Sequence, residues 1–138
     1  MSSTQQTDEA SSAAGLSIVL PTFNEGDSIA SVIRSLLTLS EQGPLEILVV
    51  DDDSSDGTTE TVRAMALQDP RIRIIHRLGR SGLASAIKEG LIDAIHPRAI
   101  VMDSDGQHEP ASVLDALRML DQQQLDLVAG SRFLDQSE

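Results

Sequence analysis

The chain of 138 residues has no cysteine, tryptophan or tyrosine and only two phenylalanines. Without cysteine it can form no disulfide and cannot use a thiol nucleophile, which fits a reducing compartment. With so few aromatic rings it has almost no platform on which bases or sugars could stack. Its formal net charge of −12 argues against binding to nucleic acid or to an anionic membrane through its whole surface.

The sequence also lacks a long apolar run and a secretory signal. No run approaches the roughly 20 residues that cross a bilayer. Residues 1–14 have neither basic residues nor an apolar core, so they do not form a signal peptide. They are mostly Ser, Thr, Gln and Ala, which predicts a disordered tail, followed by one domain over residues 15–138. We expect a cytoplasmic protein.

Short apolar runs alternate along the chain with segments of helical periodicity. Strands are predicted at Leu16–Leu20, Ile47–Val50, Ile72–Ile75, Ala99–Met102 and Leu125–Ala129. Helices are predicted to begin near Ser28, Thr58, Leu83 and Pro110. Strands that alternate with helices indicate an α/β protein with a doubly wound, mostly parallel sheet and helices on both faces.

Acidic side chains follow three of the predicted strands where each strand ends. Glu25 follows the first, Asp51–Asp53 the second, and Asp103 and Asp105 the fourth. Since neighbouring parallel strands end at one edge of a sheet, six carboxylates would share one crevice. Like charges this close raise each other's pKa, and a divalent cation would relieve that cost. Each acid alone is more simply explained as a turn former, but the set together predicts a functional site.

The segment after the fourth strand has the donor types of a metal site. Residues at i, i+2 and i+4 of an extended segment face the same side, so Asp103, Asp105 and Gln107 can present oxygens to one point. Such hard donors suit Mg²⁺ or Mn²⁺. We therefore predict a metal site there, with His108 as a hydrogen-bonding partner of the carboxylates.

Two arginines could complete a phosphate site at the same edge. Arg132 follows Gly130-Ser131 after the last predicted strand, and its guanidinium can bind a diphosphate through two parallel hydrogen bonds. Arg80 precedes the third helix, whose amino terminus favours anions. Arg80 could equally be a solvated loop charge, and the sequence leaves both interpretations open.

Taken together, the motifs resemble those of family 2 glycosyltransferases, which have a GT-A fold. The matching segments are Pro21-Thr-Phe-Asn-Glu25, Val49-Val-Asp-Asp-Asp-Ser-Ser-Asp56, Gly82-Leu-Ala-Ser-Ala86, Met102-Asp-Ser-Asp-Gly-Gln-His108 and Gly130-Ser-Arg-Phe133. They are most similar to the subgroup of polyprenyl-phosphate sugar synthases that includes dolichyl-phosphate mannose synthase. The resemblance covers residues 16–133 and implies the Rossmann-like, nucleotide-binding half of a GT-A domain.

The resemblance implies a nucleotide pocket at the ends of the first two strands. Pro21, Phe23 and Glu25 would line the part that holds the base and ribose. Asp52, with Asp51 beside it, would contact the base. Phe23 stands where tyrosine is usual in the family, so a hydroxyl contact is lost while ring packing is kept.

The resemblance also implies the residues that handle the diphosphate. Asp103, Asp105 and Gln107 would hold the Mg²⁺ or Mn²⁺ that bridges it, and Asp103 would thereby also take part in nucleotide binding. Arg132 would bind phosphate. Asp105 and Arg132 are accordingly predicted as the catalytic residues.

The implied activity is inverting, metal-dependent sugar transfer. The donor would be a nucleotide diphosphate sugar, GDP-mannose or a UDP-sugar, and the acceptor a polyprenyl phosphate. Family members continue well beyond the position of Glu138, so the acceptor-side part is expected to be missing. Peripheral association with the cytoplasmic membrane face would come through that missing part.

Two alternatives remain beside this hypothesis. One is an inactive nucleotide-binding fragment. The other is a phospho-receiver-like signalling domain, which needs an aspartate after its third strand and a lysine after its fifth. Here His76 and Arg132 stand at those places, which disfavours the receiver.

Overall fold

The computed structural model describes residues 15–105, 110–123 and 127–129. The strands are β1 Leu16–Thr22, β2 Leu45–Asp51, β3 Ile72–His76, β4 Arg98–Val101 and β5 Leu127–Ala129. The helices are α1 Ile29–Leu37, α2 Thr58–Gln68, α3 Leu83–Asp93 and α4 Pro110–Gln123, with a 3₁₀ helix over Thr38–Gln42. The predicted tail at residues 1–14 and the first two residues of the predicted fifth strand lie outside the described residues.

The five strands form one parallel sheet in the order β3-β2-β1-β4-β5. This confirms the predicted α/β fold with a parallel sheet. Thr22 on β1 lies in register with Asp51 on β2, and Asp51 with His76 on β3. The ends of these three strands are therefore level, and the loops that follow them start from one edge, which we call the carboxyl edge.

The central strands are buried on both faces, as their continuous apolar runs predict. Every residue of β2 is buried, and so is every residue of β1 except Pro21. One core lies between the sheet and α1, α2, α4 and the 3₁₀ helix, and a smaller core lies between the opposite face and α3. Since strand residues alternate between faces, Ile18 packs into the first core and Val19 into the second. Helices thus cover both faces.

Helix α3 lies very close to the sheet at Gly90. A Cβ at this position would lie 2.4 Å from Cγ1 of Val19 and 3.1 Å from Cγ2 of Val50. Glycine is therefore required here by the distance between helix and sheet, because any side chain would push the two apart.

The opposite, amino edge of the sheet contains a buried acid. Glu46 on β2 accepts hydrogen bonds at Oε1 from Ser17 Oγ (2.7 Å) and from the backbone N–H of Ile95 (3.1 Å), and Arg73 pairs with its Oε2. Arg73 also pairs with Asp93 at the end of α3. Burial alone would raise the pKa of Glu46, but the bonds from Arg73, Ser17 and Ile95 together lower it below its ordinary value.

Among the described elements there is no helix with both the length and the apolar character needed to cross a bilayer.

Candidate functional site

Two loops at the carboxyl edge are joined by hydrogen bonds between backbone N–H groups and side chains. In the loop after β1, Asn24 accepts a bond at Oδ1 from the N–H of Ser55 (2.9 Å) and donates its own N–H to Ser54 Oγ (2.8 Å). Gly26 N–H donates to Asp56 Oδ2 (3.0 Å). Asn24 has a φ of 51°, a left-handed conformation that asparagine adopts more readily than most residues. The bonds fix the position of the loop after β1 against that of the loop after β2.

Asp51 supports these loops from beneath. It is fully buried, and its Oδ2 accepts bonds from Ser54 N–H (3.1 Å) and Thr59 Oγ1 (2.7 Å), while Ser54 Oγ donates to Oδ1. Both carboxylate oxygens are thus engaged inside the protein. The role implied by the resemblance, contact with a base beside Asp52, does not fit this geometry, because no part of Asp51 is open to a ligand.

Asp53 also turns away from the crevice. Its Oδ1 lies 2.8 Å from Nε2 of His76, whose Nδ1 lies 3.0 Å from Nη2 of Arg63. Of the three consecutive aspartates, only Asp52 lines the pocket described below.

Asp103 and Asp105 lie on either side of a buried serine. Ser104 is 2% exposed, and its Oγ donates to the carbonyl oxygen of Pro21 (3.2 Å). Ser28 Oγ donates in turn to the carbonyl oxygen of Ser104 (2.9 Å). The two aspartates are partly exposed, as expected from the alternation of an extended segment. Ser28 stands at the N-cap position of α1, but its side chain makes no capping bond and instead anchors the loop Asp103–Asp105, which we call the acid loop.

The pKa of Glu25 shows that acids from separate loops lie close together. Burial raises the pKa of Glu25 above its ordinary value, and the negative charges of Asp105, Asp56 and Asp103 raise it further, against a lowering by the bond with Ser28. Residues from the loops after β1, β2 and β4 therefore share one electrostatic environment. Within the parts of the chain that the structure describes, however, no three His, Asp or Glu side chains are already gathered in an arrangement that could hold a metal ion.

An open cavity of about 230 Å³ lies beside these acids. It is lined by Pro21, Thr22, Phe23, Glu25, Asp52, Leu83 and Ala86. The structure thus brings together four residues predicted for the nucleotide, Pro21, Phe23, Glu25 and Asp52. Phe23 and Leu83 are more than half exposed and form apolar walls. Alanine and leucine at the start of α3 belong to the Gly82–Ala86 motif, so that motif contributes the opposite side of the cavity.

Arg77 is part of the site, although the sequence analysis did not identify it. It follows β3 directly and is 1% exposed. Its Nε lies 3.3 Å from Oδ1 of Asp52, its Nη1 donates to the carbonyl oxygen of Gly82 (3.2 Å), and its Nη2 donates to Ser85 Oγ (2.6 Å). The available signal was its place, since it is the first residue after a strand that ends at the carboxyl edge.

Of the two arginines predicted for the phosphate site, the structure describes Arg80 but not Arg132. Arg80 is half exposed, pairs with Glu89 on α3 and donates to the carbonyl oxygen of Leu78 (3.2 Å). It is therefore a partly solvated loop charge paired with Glu89, and it does not line the cavity. Arg132 lies outside the described residues, as do Gln107 and His108.

Comparisons with known proteins identify a family and relatives that this chain matches. The family model described as glycosyl transferase family 2 matches residues 17–138. The dolichol-phosphate mannosyltransferase of Mycosarcoma maydis is 36% identical over 129 aligned residues, which cover 89% of this chain and 44% of that protein. The chain therefore spans less than half the length of this relative.

Two solved structures show the same fold. Mannosyltransferase PcManGT from Pyrobaculum calidifontis, in complex with GDP-Man and Mn²⁺, superposes with a TM-score of 0.64 at 25% identity, over 76% of this chain and 32% of that one. Glucosyl-3-phosphoglycerate synthase from Mycobacterium tuberculosis, in complex with Mn²⁺, uridine-diphosphate and phosphoglyceric acid, superposes with a TM-score of 0.64 at 27% identity, over 84% of this chain and 42% of that one.

Proposed function

Because this chain belongs to glycosyltransferase family 2, we propose that it is the donor-binding half of a metal-dependent, inverting glycosyltransferase. The donor would be GDP-mannose or a UDP-sugar, and the acceptor a polyprenyl phosphate. The name of the Mycosarcoma maydis relative and the GDP-Man in the PcManGT structure support this choice. Since polyprenyl phosphates reside in membranes, the protein would act at the cytoplasmic membrane face. Family membership sets aside the phospho-receiver alternative.

The observation that carries the proposal is the convergence of distant segments at the carboxyl edge. Glu25 and Asp52 line one cavity although they lie on different loops. The charges of Asp103 and Asp105, from a third loop, act on Glu25. The neighbouring acids raise the pKa of Glu25, and a bound cation would offset the cost of ionising it.

In this proposal the base and ribose occupy the cavity. Pro21 and Phe23 on one side and Leu83 on the other offer apolar surface to the rings. Asp52 offers the polar contact, because a carboxylate is an acceptor that pairs with N–H donors of a base. Asp51 serves only indirectly, by holding the loop that presents Asp52.

The donor set beside the cavity fits a divalent cation. Asp103 and Asp105 provide carboxylate oxygens on one side of an anchored loop, and the sequence places Gln107 next along it. Oxygen donors of this kind suit Mg²⁺ or Mn²⁺, which keep positions for water and phosphate. When bound, such an ion supplies electrostatic stabilisation of the charge that develops on the diphosphate leaving group.

The transfer itself needs little from the protein beyond orientation and charge. An acceptor phosphate oxygen is already anionic at neutral pH, so it can form the new bond to the sugar carbon without a general base. The bond from that carbon to the nucleotide diphosphate breaks with its electron pair, and attack from the opposite side inverts the centre. Arg132 would face the departing diphosphate and stabilise its charge.

Calorimetry of nucleotide binding tests the proposal. In the presence of Mn²⁺ we expect GDP or UDP to bind, and we expect Asp105→Ala to weaken that binding by at least about tenfold, since a removed ligand costs at least what a removed supporting residue costs. Asp115→Ala is the matched control, because Asp115 is an exposed acid on α4. Absence of heat with both nucleotides in Mn²⁺ would defeat the proposal.

A donor-binding module without transfer is the second candidate, since the site residues at the carboxyl edge that the structure describes are those proposed for the donor and its metal ion. Assay of sugar transfer from GDP-mannose or UDP-glucose to polyprenyl phosphate by this chain distinguishes the two. Binding with turnover supports the transferase, and binding without turnover supports the module.

A further inference from the structure

We propose that Arg77 is a positioning residue, which fixes the Asp52 carboxylate in the cavity and thereby sets which bases the cavity accepts. This inference rests on the proposed function, because it takes the ligand to be a nucleotide. It adds a residue whose side chain does not itself line the cavity.

Arg77 acts through its neighbours because it is enclosed. Its side chain is 1% exposed, and its backbone N–H donates to the carbonyl oxygen of Asp51 (2.8 Å), which fastens it to the end of β2. A buried guanidinium is held in place only if its donors and its charge find partners. The side-chain partners of Arg77 are Asp52, which lines the cavity, the turn at Gly82, and Ser85 and Glu89 on α3.

The first group of partners is the turn before α3. Nη1 of Arg77 donates to the carbonyl oxygen of Gly82 (3.2 Å), and the N–H of Gly82 donates to Oδ2 of Asp52 (2.9 Å). Nη2 donates to Ser85 Oγ (2.6 Å) in the first turn of the helix. Gly82 has a φ of 117°, which only glycine adopts without strain. Gly82 is thus held from both sides, by Arg77 through its carbonyl group and by Asp52 through its amide.

The second partner is Asp52 itself. Nε of Arg77 lies 3.3 Å from Oδ1 of Asp52, within ion-pair distance, yet both atoms are buried and neither has a hydrogen-bond partner. The contact between them therefore consists of electrostatic attraction and packing, without a directed hydrogen bond. The Gly82 amide holds Oδ2 of the same carboxylate, so the position of the carboxylate depends on that bond together with the size and the charge of the arginine.

This arrangement has a consequence for base selection. Asp52 is 14% exposed and lines the cavity. The amide of Gly82 uses only part of the acceptor capacity of Oδ2, and a carboxylate has no donor to offer. Guanine and uracil present a ring N–H where adenine and cytosine present an unprotonated ring nitrogen. A fixed Asp52 carboxylate therefore accepts the first two bases and repels the lone pair of the others.

Selectivity among nucleotides tests the inference. Affinities for GDP, UDP, ADP and CDP are measured in Mn²⁺ for the wild type, Arg77→Lys, Asp52→Asn and the double variant. We expect the wild type to prefer GDP or UDP by about tenfold or more, the usual effect of a hydrogen bond to a charged group. Arg77→Lys should lower this ratio several-fold, with no further loss in the Asp52→Asn background. An equal weakening of all four nucleotides would show a merely structural role and overturn the inference.

Arg73→Lys is the matched control, because Arg73 pairs with a buried acid at the other edge of the same sheet. Its selectivity ratio should equal that of the wild type. If Arg77→Lys fails to fold, Ser85→Ala removes the Nη2 contact together with the hydroxyl's bonds to the carbonyl oxygens of Ser81 and Gly82, and it should lower the ratio by a smaller factor. An unchanged ratio in that variant would then overturn the inference.

Amide hydrogen exchange without ligand separates this inference from the proposed function. We expect the Gly82 amide to exchange at least several-fold faster in Arg77→Lys than in the wild type, and at the wild-type rate in Arg73→Lys. An unchanged Gly82 rate in Arg77→Lys would overturn the positioning role. Gly82 exchange could be faster in Arg77→Lys although the wild type binds no nucleotide. That result would overturn the proposed function and the base selection, but it would support the role of Arg77 in positioning the Asp52 loop.

Discussion

Each edge of the sheet pairs an acid with an arginine, and the two pairs differ in how their polar atoms are bonded. At the amino edge, both oxygens of Glu46 are bonded, and Arg73 also reaches Asp93. At the carboxyl edge, Oδ1 of Asp52 and Nε of Arg77 are buried without hydrogen-bond partners. Buried polar groups in native proteins are usually satisfied. The amino edge bonds its polar groups fully, whereas the carboxyl edge leaves two buried polar atoms facing each other without a directed bond.

The glutamates of the two edges show the same difference in their acidity. The pKa of Glu46 is lowered by its donors although burial opposes them, so its ionised form stabilises the fold above its ordinary pKa, and that stability is lost as the pH falls. The pKa of Glu25 is raised by burial and by neighbouring acids, so its ionisation costs stability as the pH rises through its ordinary pKa.

Removing the acid of the amino edge should have the largest effect on stability. Glu46→Ala would leave Ser17, Ile95 and the charge of Arg73 without their partner. We expect a loss of about 2–4 kcal/mol in the free energy of unfolding, below the upper range for buried pairs because Arg73 is 36% exposed. Urea denaturation measures this loss.

The comparison also predicts what Glu46→Ala leaves unchanged. The folded variant should bind nucleotide with the affinity of the wild type, and Glu46→Gln, which keeps an acceptor, should lose less stability. Nucleotide affinity that falls in parallel with stability would mean that the two edges are not separate in function.

Gly90→Ala tests whether α3 couples the two edges. The helix is held near its start by Arg77 and near its end by Arg73. The added methyl group would overlap Val19 and should cost about 1–3 kcal/mol, the usual range for overpacking. Thermal denaturation gives the stability, and Gly82 amide exchange reports the carboxyl edge. Unchanged exchange at Gly82 would show that the edge tolerates a displaced helix.

Glu25→Gln should have the smallest effect on stability, with the opposite sign. The substitution removes a charge that is partly buried and near other acids, so the variant should be slightly more stable than the wild type at neutral pH. The gain should vanish below the ordinary glutamate pKa, where Glu25 is protonated in both states. Thermal melts across pH measure this difference. A variant less stable than the wild type at pH 7 would contradict the description of the carboxyl edge as strained by its acids.

Much of the fold could be predicted from the sequence because its signals are local. The continuous apolar run Ile47–Val50 marks a strand buried on both faces, and it lies within β2. Ser17 and Glu46 gave no such signal, since a polar residue in a buried strand makes sense only once its partner is known. These two residues are 29 positions apart and meet across neighbouring strands.

The site was predictable in its location and less so in its detail. Strand ends identified the edge, and Glu25 and Asp52 do line one cavity there. Which member of the run Asp51–Asp53 would face the cavity could not be read from the sequence, because adjacent residues point to opposite sides and the strand end fixes the phase. The role of Arg77 could not be predicted from the sequence for another reason. Its role depends on the turn at Gly82 folding back against the end of β2, a contact between separate segments.

Ser104 fixes which side chains of the acid loop face inward and which remain exposed. Its side chain fills an inward position beneath Pro21 while the aspartates before and after it remain partly exposed. A substitution in this tripeptide changes one side chain and leaves the positions of the others unchanged. Insertion or deletion of a single residue would reverse the alternation of inward and outward side chains, and it would place a carboxylate at the buried position of the serine. The length of this segment is therefore under stricter constraint than the identity of any one of its residues.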